Sequence, residues 1–166
     1  GDFCNQLKNN PARLAFHTQL FQATMQGDDV TPSIINALNC IAGQQEQWDA
    51  VVIIRGGGAT SDLSGFDTLE LAENVAQFPL PIITGIGHER DDTVIDLIAH
   101  TRMKTPTAAA EFLIQHQSKE LELLESIAAS IFLSASNLLQ AEKIRIQVIK
   151  KKIPTLFSAI QARETI

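Results

Sequence analysis

The sequence predicts an α/β fold, in which a parallel sheet of βαβ units is flanked by helices and followed by a long α-helical, coiled-coil-like arm. Two apolar runs, at residues 50–54 and 82–86, are rich in the β-branched residues that favour strands. Between them, residues 69–76 carry apolar side chains at the spacings of three and four that indicate a helix. Strand, helix and strand within about forty residues are typical of a βαβ unit with parallel strands.

Shorter elements precede and follow this unit. Residues 2–9 are typical of the end of a helix, and the alternation of apolar residues at 13–24 predicts a strand with an irregular middle. Thr31 before Pro32 is a pair that often opens a helix, so we predict a helix from there to residue 43. Residues 92–99 also show a helical pattern.

The residue pattern changes at Thr105, where we predict that the arm begins. Thr105 and Pro106 open a helix, and no Gly or Pro follows until Pro154, which we expect to break or kink it. The apolar stripe of this helix is too long for a small α/β domain to bury. We therefore predict a partial α/β catalytic domain at 1–104 and a helical arm at 105–166. The stripe consists of Leu121, Leu124, Ile127 or Ala128, Ile131, Ala135, Leu138, Ile144 and Val148.

Composition and charge narrow the function classes. The chain is 45% hydrophobic, and its net charge of −6 argues against a broadly basic surface for nucleic acid while permitting a locally basic cleft. Cys4 and Cys40 show no pairing or metal-ligand spacing, so we expect a reduced, cytosolic setting. No uninterrupted apolar run approaches the roughly 20 residues of a membrane span, so no membrane partner is expected. Because the chain begins at Gly1, we expect a fragment of a longer protein.

A charged, glycine-rich segment follows the first apolar run. Arg55 ends the predicted strand, and Gly56, Gly57 and Gly58 come directly after it. Glycine amides can approach a phosphate closely, and the planar guanidinium of Arg55 suits the same anion. A tight turn explains three glycines equally well, and their spacing matches neither a P-loop nor a dinucleotide-binding motif. With Arg55 beside them, the glycines favour phosphate binding.

A second polar segment follows the second apolar run. Parallel strands end at the same edge of a sheet, so we expect His88 and Asp91 to lie beside Arg55. A neighbouring carboxylate can fix the tautomer of a histidine and raise its basicity. A lone histidine is more often structural than catalytic, but this setting favours proton transfer. We predict no metal site, because such a site needs more ligands.

Four other polar residues have plainer interpretations. Asp96 and His100 are four positions apart on a predicted helix, and we interpret them as a solvated or ion-paired face rather than a zinc site. Asp62 and Asp67 are interpreted as caps of the helix that follows the glycine-rich segment.

A set of short motifs occurs in a fixed order along the chain. The motifs are Gln26-Gly27-Asp28-Asp29, Arg55-Gly56-Gly57-Gly58, Asp62-Leu63, Phe66-Asp67, Gly87-His88-Glu89, Asp91, Thr93, Asp96, Arg102 and Thr105-Pro106-Thr107-Ala108-Ala109-Ala110-Glu111. In this order they resemble the large subunit of exodeoxyribonuclease VII. The resemblance covers residues 2–111, and the arm is similar to the coiled-coil region of that family in character only. Departures occur at Ile54, Ala59 and around His100, where the family often has glycine, serine and aspartate.

The resemblance implies a subunit of a nuclease that degrades single-stranded DNA from either end and leaves 5′-phosphates. It implies no strict need for a cofactor, an assisting role for Mg²⁺, a small-subunit partner and a cytoplasmic location. We expect the fragment alone to be inactive, because the OB-fold of the family lies outside it. Without the small subunit, its arm is expected to self-associate. The catalytic residues implied are Arg55, His88, Asp91 and, across a small gap, Asp2, with Gly56, Gly57 and Gly58 binding phosphate.

Two other functions stay open at this point. A non-catalytic module that binds a phosphate or nucleotide uses the same Arg55 and glycines but does not need His88 near Asp91. An assembly platform, in which the helical arm carries the function, needs neither segment.

Overall fold

The computed structural model describes residues 1–56, 63–86 and 92–164, and in that part of the chain it shows three strands and five α-helices. The elements are α1 (Asp2–Lys8), α2 (Val30–Ala42), β1 (Val51–Ile54), α3 (Leu69–Ala76), β2 (Ile82–Gly85), α4 (Val94–Ile98), β3 (Thr101–Arg102) and α5 (Pro106–Glu164), with short 3-10 helices at Gln45–Gln47 and Ser64–Phe66.

The strands form one parallel sheet in the order β1-β2-β3. Ile54 of β1 pairs with Gly85 of β2, and on the other side of β2 Thr84 pairs with Arg102 of β3. The strands β1 and β2 with α3 between them are the predicted βαβ unit. The predicted fold class, an α/β sheet with flanking helices followed by a long helix, is confirmed.

Each face of the sheet carries its own apolar cluster, as a parallel sheet covered on both sides requires. Successive strand residues point to opposite faces, so Val51 and Ile53 belong to one cluster while Val52 and Ile54 pack against the other. The front cluster comprises Val30, Ile34, Leu38, Ile41, Val51, Ile53, Phe66, Leu71, Val75, Ile82, Ile86 and Ile95. The back cluster comprises Phe3, Leu7, Ile83, Ala109, Ala110 and Ile114.

The predicted strand at 13–24 is wrong, because no strand is formed there. Leu14 and Phe16 pack against the back cluster and Phe21 packs against the front cluster, whereas Leu20 is 81% exposed. The segment thus passes from one face of the sheet to the other. Its middle lies against Trp48, whose ring stacks on His17 at 5.9 Å and meets Phe21 edge-on at 6.1 Å.

The second helix begins earlier than predicted, at Val30, and Thr31 lies inside it rather than capping it. The Thr31 hydroxyl donates to the carbonyl oxygen of Gly65 at 2.8 Å and shares a hydrogen bond of 2.9 Å with the hydroxyl of Thr68. These bonds join the start of α2 to the segment that follows residues 57–62. Gly65 lies so close to α2 that a Cβ built on it would be 2.6 Å from Cβ of Val30.

The long helix α5 belongs to two compact units, Gly1–Ser118 and Lys119–Ile166. Its first turns place Ala109, Ala110 and Ile114 in the back cluster. It continues through Pro154, so the predicted break does not occur. The boundary between a catalytic domain at 1–104 and an arm at 105–166 stays a prediction.

Within α5, Pro106–Pro154 contains an 18-residue window of mean hydropathy 1.2, which by length and composition alone would allow membrane crossing. The uncharged stretch inside it is bounded by Glu125 and Glu142. That stretch is shorter than the roughly 20 apolar residues of a typical span.

Replacing Gly65 by alanine should destabilise the fold. The new Cβ must displace Val30 or the 3-10 turn, and overpacking of this kind costs about 1–3 kcal/mol. Gly43→Ala is the matched control, because the nearest atom to its added Cβ is 3.6 Å away and its φ of −65° suits alanine. Urea unfolding monitored by circular dichroism should show a lower midpoint for Gly65→Ala only. Equal midpoints for the two variants would contradict the close packing of Gly65 on α2.

Candidate active site

The carboxyl ends of β1 and β2 form the edge at which the sequence predicts the site. Arg55 follows β1, and its backbone N–H donates to the carbonyl oxygen of Gly85 at 3.3 Å, which extends the parallel ladder by one residue. The alternation of β1 directs the Arg55 side chain to the face that carries the front cluster. Arg55 is only 7% exposed.

The buried guanidinium of Arg55 has no counter-charge in the part of the chain that the structure describes, where no residue forms a hydrogen bond or ion pair with it. Arginine stays charged at physiological pH, and a buried charge without a partner is costly. A bound anion offsets that cost, and the fork of N–H donors matches the geometry of phosphate. Arg55 is therefore well placed to bind a phosphate group.

A second arginine lies across β2 from Arg55. Arg102 ends β3, pairs with Thr84 of β2 in the ladder and forms an ion pair with Asp92. Asp92 directly precedes the capping box of α4, so this ion pair attaches the start of that segment to β3. The two side chains are 32% and 47% exposed, and partly exposed pairs contribute about 1 kcal/mol or less to stability. The ion pair therefore contributes more to the position of Asp92 than to the stability of the fold.

A buried capping box opens α4 directly after this segment. The Thr93 hydroxyl donates to Oδ2 of Asp96 at 2.8 Å, and the Thr93 backbone N–H donates to the same oxygen at 3.2 Å. Asp96 is 4% exposed, so the interpretation of Asp96 as a solvated or ion-paired helix face is wrong. His100 is exposed and shares a hydrogen bond of 2.9 Å with the hydroxyl of Thr101. In the described residues, Oδ1 of Asp96 and the buried Thr84 hydroxyl have no hydrogen-bond partner.

The residue that caps α3 is not the one that the sequence predicted. Thr68 is the N-cap of α3, and its hydroxyl accepts from the N–H of Leu71 at 3.4 Å. Asp67 instead caps the start of α4, because its Oδ1 accepts from the backbone N–H of Val94 at 2.7 Å. Asp62 lies outside the described residues. The Asp67 bond joins the segment after 57–62 to the segment after 87–91, so both flanks of the predicted site are held together.

The structure describes only some of the predicted site residues, and it places those in different parts of the fold. Arg55 and Gly56 lie at the predicted edge. Asp2 is an exposed residue in the first turn of α1, and α1 packs on the back of the sheet through Phe3 and Leu7. Asp2 therefore lies on a helix at the back of the sheet, whereas Arg55 directly follows a strand of the sheet itself. The site residues that lie outside the described part of the chain are Gly57, Gly58, His88 and Asp91.

The sequence interpretation missed two positioning contacts. The spacing of Thr93 and Asp96 is that of a capping box, which could have been recognised before α4. The ion pair of Asp92 with Arg102 carries no local signal, because it forms through the sheet. Groups of three or more His, Cys, Asp or Glu side chains able to hold a metal do not occur within the described ranges.

Comparison with known proteins decides the family. The family model described as "Exonuclease VII, large subunit" matches residues 1–165. The chain belongs to this family. The exonuclease VII large-subunit relatives include the "Exodeoxyribonuclease 7 large subunit" of Lactobacillus helveticus, which is 35% identical over 81% of this chain and 30% of the relative. The protein of the same name from Deinococcus radiodurans is 38% identical over 69% of this chain and 28% of the relative.

This chain therefore spans about 30% of the length of the exonuclease VII large subunits that it matches. The resemblance found in the sequence motifs is confirmed at the level of the family. The roles of individual residues, including the catalytic roles given to Arg55, His88, Asp91 and Asp2, stay predictions.

Asp67→Ala should destabilise the chain through loss of the bond to Val94. Removal of a helix-capping side chain costs about 0.5–2 kcal/mol. Asp67→Asn is the matched control, because an amide Oδ1 still accepts the same N–H. Urea unfolding should show a clearly lower midpoint for Asp67→Ala and a small change for Asp67→Asn. If both variants unfold at the wild-type midpoint, the Asp67 bond does not hold the two flanks together.

Proposed function

We propose that this chain is part of a nuclease subunit that hydrolyses single-stranded DNA exonucleolytically from either end and gives 5′-phosphate products. Membership of the exonuclease VII large-subunit family supports the nuclease class. The observation that carries the proposal is the buried Arg55 at the carboxyl edge of the sheet, which is without a counter-charge among the described residues. Open α/β sheets bind their ligands at this edge.

In the proposed reaction, water attacks a backbone phosphorus and the bond to the 3′ oxygen breaks, which leaves the phosphate on the 5′ side of the next nucleotide. Arg55 and the amides of Gly56, Gly57 and Gly58 hold the phosphate and stabilise the negative charge that develops in the transition state. His88 moves the proton, either from the attacking water or to the leaving oxygen.

Two carboxylates complete the proposed site. Asp91 orients His88 by accepting from its ring N–H. The ion pair of Asp92 with Arg102 supports this role, because it fixes the residue next to Asp91. Asp2 acts as a further catalytic carboxylate by family resemblance. The proposal requires no divalent metal strictly and gives Mg²⁺ an assisting role; both statements come from the resemblance.

The proposed partners are single-stranded DNA and the small subunit of the same nuclease, in the cytoplasm and without a membrane. The family name itself, a large subunit, implies a smaller partner. The exposed apolar side chains of α5 support an association through the arm, and they include Leu124, Ile131 and Leu138, which are 63%, 65% and 70% exposed. In the absence of the small subunit, the arm associates with a second copy. The chain alone is inactive or very weak.

Arg55→Ala and His88→Ala in the full-length subunit with its small subunit should each abolish cleavage of labelled single-stranded DNA. Loss of a general acid–base group typically lowers the rate about 10²–10⁴-fold, and loss of a transition-state donor about 10²–10³-fold. Arg145→Ala is the matched control, since this arginine is exposed on α5 and pairs with Glu142. Circular dichroism should show an unchanged fold in all three variants.

Each of the two variants tests the role of its own residue. Near-normal cleavage by Arg55→Ala or His88→Ala would remove that residue from the mechanism. Tight DNA binding with no cleavage by the wild-type enzyme, in the presence and absence of Mg²⁺, would instead favour the non-catalytic phosphate-binding module.

A further inference from the structure

Arg102 lies on the same face of the sheet as Arg55. In β2, Thr84 is in register with Ile53 of β1 on one side and with Arg102 of β3 on the other. Residues in register on neighbouring strands point to the same face, and so do residues two apart on one strand. Ile53 belongs to the front cluster, so Arg55 and Arg102 both point to the front. Met103, the residue after Arg102, packs against the back cluster, as this alternation requires.

The register also gives the separation of the two arginines. Arg102 and Arg55 are two strands apart, which is about 10 Å at the usual strand spacing. Arg55 lies two residues further toward the carboxyl edge, which is about 7 Å along the strand direction. Their Cα atoms are therefore about 12 Å apart. Since arginine side chains are long, one extended single strand of DNA can bring a phosphate to each of them.

The Arg102 side chain is accessible to such a strand, because it is 32% exposed. Its Nη2 donates to Oδ1 of Asp92, which is itself 47% exposed. A guanidinium carries five N–H donors on three nitrogens. A carboxylate that accepts from one nitrogen can therefore hold the group in place without using all its donors.

We propose that Arg102 binds a second phosphate of the strand whose first phosphate binds Arg55, and that Arg102 keeps its bond to Asp92 while it does so. Charge-assisted hydrogen bonds from arginine to phosphate are among the stronger polar contacts in proteins. Two contacts at a fixed separation favour a polynucleotide over a small phosphorylated molecule, because only the polynucleotide offers a phosphate at both positions. The inference rests on the proposed function, in which Arg55 holds the first phosphate.

The side-chain Nε–Hε resonances of the two arginines test the inference in one titration. The ¹⁵N-labelled chain is titrated with a 5′-phosphorylated thymidine trinucleotide, which carries three phosphates, and with unphosphorylated TpT, which carries one. Arg102→Lys assigns the Arg102 resonance. The trinucleotide should shift the resonances of Arg55 and Arg102 with one common dissociation constant, whereas TpT should shift that of Arg55 only.

The same titration separates failure of the inference from failure of the proposed function. A trinucleotide that shifts the Arg55 resonance and leaves that of Arg102 in place would overturn the second phosphate contact while the proposed function stands. Equal shifts of both resonances by TpT would also overturn it, since both arginines would then share one phosphate. If neither resonance moves with the trinucleotide, both the inference and the proposed function are contradicted.

Substitution of Arg102 tests the contact by affinity. Arg102→Gln should weaken binding of the trinucleotide about tenfold or more, because a charge-assisted phosphate contact is lost. The slope of log affinity against log salt concentration should become shallower by about 0.7, the value for one phosphate of a single strand. Binding of TpT should not change.

Substitution of Asp92 distinguishes phosphate binding from an ion pair that is only structural. Asp92→Asn still accepts a hydrogen bond from Arg102 but no longer repels a phosphate, so binding of the trinucleotide should tighten about two- to fivefold. Weaker binding by both Asp92→Asn and Arg102→Gln would identify a structural pair and overturn the proposal. Glu142→Gln is the matched control, because it changes an exposed arginine–carboxylate pair on α5 and should leave binding unchanged.

Discussion

The parallel pairing of β1 with β2 is the constraint on which the rest of the structure depends. It extends from Val51 and Ile82 to Ile54 and Gly85, and the bond from Arg55 to Gly85 continues it by one residue. Because both strands end together, the segments that follow them leave the sheet at one edge. Gly85 also lies close to the start of α5, since a Cβ on it would be 3.1 Å from the carbonyl oxygen of Thr105. A side chain at Gly85 would therefore disturb both the edge and the long helix.

Two arginines determine the charge at this edge of the sheet. The chain as a whole is acidic, with a net charge of −6, yet Arg55 and Arg102 flank the end of β2. Arg102 is neutralised by Asp92, whereas Arg55 is buried without a partner among the described residues. Without DNA, the two arginines therefore have different uses: one positions a segment of the chain, and the other is available to an anion. A locally basic site in an acidic protein also limits non-specific contact with nucleic acid elsewhere on the surface.

The sequence predicts those features that depend on local chemistry. The βαβ unit and the place of Arg55 follow from two β-branched runs and the glycines after the first. The predicted strand at 13–24 fails because alternation reports side-chain burial, not backbone pairing. Pro154 lies inside α5, which continues to Glu164, so a single proline did not mark the end of this helix. The roles of Asp67 and Asp96 depend on which elements meet in three dimensions, and spacing along the chain does not specify that.

Binding of a DNA phosphate by Arg55 can be followed directly through the side-chain Nε–Hε resonance of Arg55. The ¹⁵N-labelled chain is titrated with a 5′-phosphorylated thymidine dinucleotide at about 0.15 M salt, which screens exposed charges beyond about 8 Å. Arg55→Lys assigns the resonance, and the exposed Arg145 serves as an internal control. If Arg55 binds the phosphate, its resonance should shift saturably while that of Arg145 changes little. An Arg55 resonance that stays in place, or that moves only as much as that of Arg145, would contradict it.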